Sequence, residues 1–206
     1  MLICSRENFA FIAVPKTGTT AVEMALKPRA DIILTKFRKH ITAQRFHNKI
    51  APFLDEVFDL RPDRVAVMRD PVEQIRSWYR YRAGSRQKGT ETATHGLSFD
   101  EFVADVIADD PPPHAGIGSQ WNMLTSGKGA VLVHHLFAHE APVAFRGFLN
   151  DRFGEEIRLK PKNVSPQVDA PLSPSMLARL RAARAEEFAL YDRLMDAGGH
   201  LVTRIG

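Results

Sequence analysis

The stretch Phe9 to Leu26, FAFIAVPKTGTTAVEMAL, constrains what this chain can fold into more than any other part of it. Phe9 to Val14 is an apolar run with the length and the aromatic and β-branched character of a buried strand. Thr17-Gly18-Thr19-Thr20 is a turn-and-cap cluster, and Ala21 to Leu26 is helix-competent. Strand, tight loop and helix in that order gather backbone N–H groups at the positive end of a helix dipole. Gly18 permits close approach, and the hydroxyls of Thr17, Thr19 and Thr20 add donors, so the turn is suited to cradle an anion. Lys16 brings a full positive charge to the carboxyl end of the strand, where open α/β sheets bind their ligands. An ordinary strand-to-helix turn explains Gly18 and one threonine cap, but not the whole P-K-T-G-T-T string.

A second junction of the same kind follows. Arg64 to Met68 (RVAVM) reads as a short strand that runs into Arg69-Asp70-Pro71. Asp70 as N-cap and Pro71 at the first helical position start a helix with Ile75, Trp78 and Tyr79 on one side and Arg76 and Arg80 on another. The rigid fork of an arginine suits phosphate oxygens, and Ser77, two turns in, adds a neutral donor. From Arg69 to Lys88 the basic residues Arg69, Arg76, Arg80, Arg82, Arg86 and Lys88 face only Asp70 and Glu73, so this segment holds the whole net charge of +4. Localised positive charge attracts anions. Nucleic acid ranks lower as a partner, because no nucleic-acid motif accompanies the charge.

The 206 residues suit one domain, 1–206, and 44% hydrophobic with 25% charged is an ordinary globular balance. The single cysteine, Cys4, excludes an internal disulfide and fits a reducing compartment. No apolar run approaches the ~20 residues of a membrane span, and Arg6-Glu7-Asn8 interrupts any signal-peptide core. A cytoplasmic protein without a membrane anchor is the expectation.

A Walker A loop places its lysine after the glycines, whereas Lys16 precedes Gly18. The string Pro15 to Thr20 instead resembles the 5′-phosphosulfate loop of sulfotransferases that use 3′-phosphoadenosine 5′-phosphosulfate (PAPS). Arg69 and Ser77, eight residues apart after a strand, resemble the pair that holds the 3′-phosphate in that family. The resemblance extends loosely along the chain and is to bacterial-type members related to carbohydrate sulfotransferases. It implies a three-layer α/β domain with a mainly parallel central sheet and a P-loop-like first turn. It also implies sulfuryl transfer from PAPS, without metal, to a hydroxyl acceptor, carbohydrate being one class. Lys16 would meet the bridging oxygen, while Thr17, Gly18, Thr19 and Thr20 would hold the 5′-phosphate. As a residue alone His40, in the connection after the first helix, reads first as a solvated loop histidine; the resemblance raises the reading of it as the base to equal standing. The chain departs from the common R-D-P-x-x-R-x-x-S at Gln74, where Arg76 is the nearest substitute.

Other elements read less sharply. Asp31 to Thr35 suggests a strand, Thr42 caps a helix running towards Ile50, and Gly84 to Gly96 looks like a mobile loop suited to be an acceptor-side lid. Ser98 caps a helix to about Ala108, and Gln120-Trp121-Asn122 leads to a strand at Ala130 to His134. His134, His135, His139 and Glu140 lack the H-E-x-x-H spacing of a metal helix. Relatives place a glutamine and a glutamate where Gln120 and Glu140 stand, which implies structural or acceptor-facing roles. Ala141 to Phe153 is an amphipathic helix stopped by Gly154, and Lys160 to Pro166 resembles the family's N-x-S loop. Ser173-Pro174 opens one long final helix to about Ala197. Two rivals remain: a nucleotide kinase, which needs a proper Walker A and a magnesium carboxylate, and a non-catalytic nucleotide-binding module, which has no use for a base.

Overall fold

The computed structural model describes residues 1–160 and 168–205. The run from Phe9 alternates between two environments: Phe9, Phe11 and Ala13 join one apolar cluster, and Ala10, Ile12 and Val14 join another. A strand buried on both sides needs a helical layer above and below. Helices α1 (Thr19–Leu26) and α7 (Pro142–Phe153) cover one face through Val22, Leu26, Phe145 and Leu149. The other face is covered by α2 (Ala43–Arg45), a π-helical turn (Phe46–Ile50), α3 (Ala51–Phe58), α6 (Gln120–Leu124) and α9 (Ala185–Asp196). Their contributions include Ala43, Phe46, Leu54, Leu124 and Leu190. The expected three layers are therefore present.

Among the described residues six strands form one sheet in the order β3-β1-β2-β4-β5-β6. They are β1 (Leu2–Cys4), β2 (Phe9–Ile12), β3 (Ile32–Ile33), β4 (Asp63–Met68), β5 (His135–Ala138) and β6 (His200–Val202). Only β2–β4 and β4–β5 pair in parallel; β1 pairs antiparallel with β2 and β3, and β6 with β5. The expectation of a mainly parallel sheet is corrected to a mixed sheet with a parallel centre. The cause is local: the chain reverses at Ser5 to Asn8, where Asn8 N–H donates to the Ser5 carbonyl, and a direct hairpin can only be antiparallel. Cys4 lies fully buried on this hairpin, and burial pushes its thiol up to about 12, so it is inert.

Helix α4 (Pro71–Arg82) is capped as the sequence suggests, Asp70 Oδ1 accepting the Glu73 N–H at 2.9 Å. Ser98 and Glu101 form a reciprocal capping box on α5 (Phe99–Val106), and Gly154 ends α7 in the left-handed conformation. Three boundaries differ from expectation. The helix begun at Thr42 continues to Phe58, its π-helical turn carrying it past Ile50. The strand expected at Ala130 to His134 forms at His135–Ala138, and Val131 makes only an isolated bridge to Thr125. The long final helix is broken at Arg184 (φ −123°, ψ 37°) into α8 (Pro174–Ala183) and α9. One straight helix cannot serve two cores: Met176 and Leu180 pack with Ile75 and Phe102, whereas Leu190, Tyr191 and Leu194 pack on the sheet. In the Gly84 to Gly96 loop, Thr94 is buried and its hydroxyl donates to the Tyr79 carbonyl at 3.0 Å, tying that end to α4. Of the N-x-S loop, residues 161–166 lie outside the described residues. Among the described residues no helix is long and apolar enough to cross a membrane.

Gly199, between α9 and β6, shows how closely the layers meet. Its φ is +82°, and a Cβ there would stand 2.6 Å from Ala141 Cβ. Gly199→Ala is expected to destabilise the fold by about 2–4 kcal/mol, from left-handed backbone strain plus overpacking. Urea unfolding checks this, and a loss below about 0.5 kcal/mol would show that the turn relaxes freely.

Candidate functional site

Because β2, β4 and β5 run parallel, their carboxyl ends share one edge of the sheet. That edge brings together residues 13–20, Arg69-Asp70 and His139-Glu140, which are far apart in sequence. Gly18 is the N-cap of α1 with φ 79°, and a side chain there would meet only His139 Nε2, 4.0 Å away. No side chain caps α1 at Gly18, and Ala21 N–H turns back to the Gly18 carbonyl at 3.0 Å. Thr17 is buried and its hydroxyl donates to the Val14 carbonyl at 2.9 Å, which shapes the loop. Thr19 is also buried, while Lys39 Nζ donates to Thr20 Oγ1 at 3.5 Å and pairs with Glu23 at 2.8 Å.

Lys16 is held at φ 66°, a left-handed conformation costly to a residue with a Cβ and typical of a site the surroundings over-determine. Its ammonium rests over the rings of Tyr81 (4.3 Å) and Trp78 (5.5 Å). Burial, and secondarily the charge of Arg69, pushes its pKa down to about 8.

Arg69 joins the two sequence signatures. Its Nη1 donates to the Lys16 carbonyl at 3.5 Å, and its own main chain is clamped by Gln120, which accepts from Arg69 N–H (2.9 Å) and donates to Arg69 O (2.8 Å). Nη2 lies 3.7 Å from Glu73 and Nε 4.0 Å from Glu140, yet Nε is buried without a hydrogen-bond partner. Ser77 lies one turn beyond Glu73 on α4, and Arg69 immediately precedes the Asp70 cap of that helix. Glu73 also pairs with Arg76.

The question posed by Gln74 has a structural answer. Gln74 is 2% exposed and its Nε2 donates to the Pro15 carbonyl at 3.3 Å, tying α4 to the lysine loop. Arg76 turns the other way, donating to Ala170 O at 3.0 Å. No family model and no curated protein matches the chain.

His40 reaches the same edge, with Nδ1 2.7 Å from the Ala13 carbonyl. A carbonyl can only accept, so Nδ1 carries the proton and Nε2 of the neutral ring keeps its lone pair. Desolvation of the inward side of the ring lowers its pKa, against the opposing pull of the Ala13 bond. His40 is therefore neutral near pH 7 and equipped to accept a proton.

Sequence reading passed over His139 except as a metal ligand. It follows β5 directly, donates its N–H to Met68 O at 2.8 Å, and sits 3.8 Å from Glu140. Burial and the nearby Arg69 lower its pKa. The signal available was positional: once His135–Ala138 pairs in parallel with β4, the next residue must lie beside Arg69. His134 lies at the opposite end of β5, where Nδ1 accepts the Arg64 N–H, so the sequence cluster is split in space. Glu140 accepts from Asp70 N–H (3.2 Å) and Tyr191 OH (2.9 Å), and Gln120 N–H donates to the buried Glu187 (3.3 Å). Both act as braces behind Arg69.

Proposed function

We propose that the protein is a sulfotransferase that moves a sulfuryl group from PAPS to a hydroxyl, on a P-loop-like version of the α/β fold. The observation that carries this reading is the meeting of the two signatures at Arg69, whose guanidinium touches the carbonyl of Lys16. The site's donors fit the donor nucleotide: an uncapped helix start open at Gly18, and a buried Arg69 Nε with no partner of its own. When bound, PAPS supplies the transferable group and a stable leaving phosphate.

The chain's part is positioning and charge. The N–H groups of Gly18 and Thr19 would hold the 5′-phosphate, and Arg69 with Ser77 would hold the 3′-phosphate. Lys16 swings on its four-carbon stem from the aromatic rings, a contact worth roughly 0.5–2 kcal/mol, to the bridging oxygen. His40 Nε2 takes the acceptor proton. A kinase reading is weaker, because Lys16 precedes Gly18 and would not sit where a Walker lysine does.

Adenosine 3′,5′-bisphosphate, at a hundredfold excess over Kd and without metal, is expected to stabilise the protein by about 2.7 kcal/mol, seen as a raised Tm. Stabilisation by ATP with magnesium and none by the bisphosphate would overturn the sulfotransferase reading in favour of the kinase.

A further inference from the structure

Exposed apolar side chains gather on α3. Phe53, Val57 and Phe58 are each more than half exposed. Val57 stands one turn beyond Phe53, and the rings of Phe53 and Phe58 pack edge to face with centroids 5.7 Å apart, so the three make one patch. Apolar residues exposed singly are ordinary, whereas a contiguous aromatic cluster marks a contact surface. The patch is separate from the candidate site: the chain leaves α3 for Asp63, at the end of β4 opposite Arg69.

The charges around the patch are sorted by sign. From Ile41 to Leu60 the basic side chains Arg45 and Lys49 precede Phe53, and the acidic side chains Asp55, Glu56 and Asp59 follow it. The helical arm 43–58 is therefore basic at its start and acidic at its end, the reverse of what a helix dipole favours. Arg61, beyond the arm, pairs with Asp55 at 2.8 Å and with Asp59 at 3.5 Å. Lys49 and Glu56 are exposed and have no ion-pair partner among the described residues.

An order of charge that disfavours the arm alone suits an antiparallel twin. With a two-fold axis at Phe53, Lys49 lies four residues before the centre and Glu56 three residues after it. At the rise of an α-helix, Lys49 of one copy then stands level with Glu56 of the other to within about 1.5 Å, well inside the reach of a lysine stem. Phe53 meets its own counterpart, and the contact repeats on both sides of the axis. A parallel pairing would instead set lysine against lysine and glutamate against glutamate.

We propose that the protein associates with a second copy of itself as a two-fold dimer. The arms 43–58 pack antiparallel through Phe53, Val57 and Phe58, with Lys49–Glu56 ion pairs at both ends. The dimer does not depend on the sulfotransferase reading.

The test is analytical ultracentrifugation of the full chain, with circular dichroism to confirm folding. The wild type should sediment as a dimer at about 100 µM, a weak association in keeping with a small interface. Phe53→Asp should raise the dimer dissociation constant at least about tenfold, as loss of a central aromatic anchor requires. Lys49→Glu and Glu56→Lys, both on exposed residues where folding is not at stake, should each raise it about three- to tenfold by placing like charges at both ends. The chain carrying both changes should return to the wild-type value. An equimolar mixture of the two single variants should form a heterodimer tighter than either homodimer, since each end then pairs glutamate with lysine. A wild type monomeric at that concentration, association continuing past the dimer, or a dimer unmoved by Phe53→Asp would overturn the proposal. So would single charge variants as tight as the wild type, which is the parallel result, or a double variant no tighter than the singles.

Discussion

Lys16→Ala is expected to lower turnover by about 10²–10³-fold while donor affinity falls only a few-fold, the range seen when a group aimed at developing transition-state charge is removed. The ammonium stands in a partly buried, aromatic setting where its charge is poorly solvated, which is why its pKa falls to about 8. Such a cation gains most where negative charge accumulates on the leaving oxygen. Because the charged form is lost as pH rises through about 8, wild-type turnover should fall on the alkaline side of that value. The variant should lack this limb.

The same shift predicts that the fold survives the substitution. A lysine whose folded pKa is lowered binds its proton less well than in the unfolded chain, so between about 8 and 10.5 its contribution to stability increases with pH, and below that window the buried charge is a burden. Removing that burden should leave urea unfolding at pH 7 no easier than in the wild type. The φ of 66° is as unfavourable for alanine as for lysine, so no backbone relief confuses the comparison. His40→Gln is the control: it should also spare donor affinity, but should flatten the acidic limb below the usual imidazole range, since desolvation lowers that ring's pKa. Near-normal turnover in Lys16→Ala, with any acceptor used by the wild type, would refute the assigned role.

The sheet's centre and its two strand-to-helix turns were legible because local signals agreed there: apolar strand, glycine or Asp-Pro turn, capped helix. Leu2–Cys4 was not, because three residues give no period and only pairing with Phe9–Phe11 makes them a strand. Likewise the break at Arg184 depends on two cores that local sequence does not distinguish. In the site, Lys16, Gly18 and Arg69 announce themselves by motif. His139, Gln120 and Glu187 act through positions set by β5 and α9, and Gln74 looked like a missing arginine until its contact with Pro15 gave it a place of its own. Glu73 was counted only as a charge, although its carboxylate lies 3.7 Å from Arg69, and Ser77 stands one turn further along α4.

That placement of Glu73 yields the sharpest test of the donor site, since two substitutions in contact should act with opposite sign. Arg69→Ala should weaken adenosine 3′,5′-bisphosphate by about 2–4 kcal/mol, the worth of charge-assisted, bidentate bonds to phosphate. Glu73→Gln should tighten it about two- to tenfold, because the carboxylate 3.7 Å from Arg69 Nη2 must otherwise be displaced and repels the incoming charge. Arg69→Ala should also move the alkaline limb assigned to Lys16 upward, because the arginine's charge is one of the two causes that depress it. Were Glu73 only a tether for α4 through Arg76, Glu73→Gln would lower Tm and leave bisphosphate affinity unchanged. A loss of affinity in Glu73→Gln as large as that in Arg69→Ala would mean that the carboxylate orients the arginine, and the 3′-phosphate could not then lie between Arg69 and Ser77.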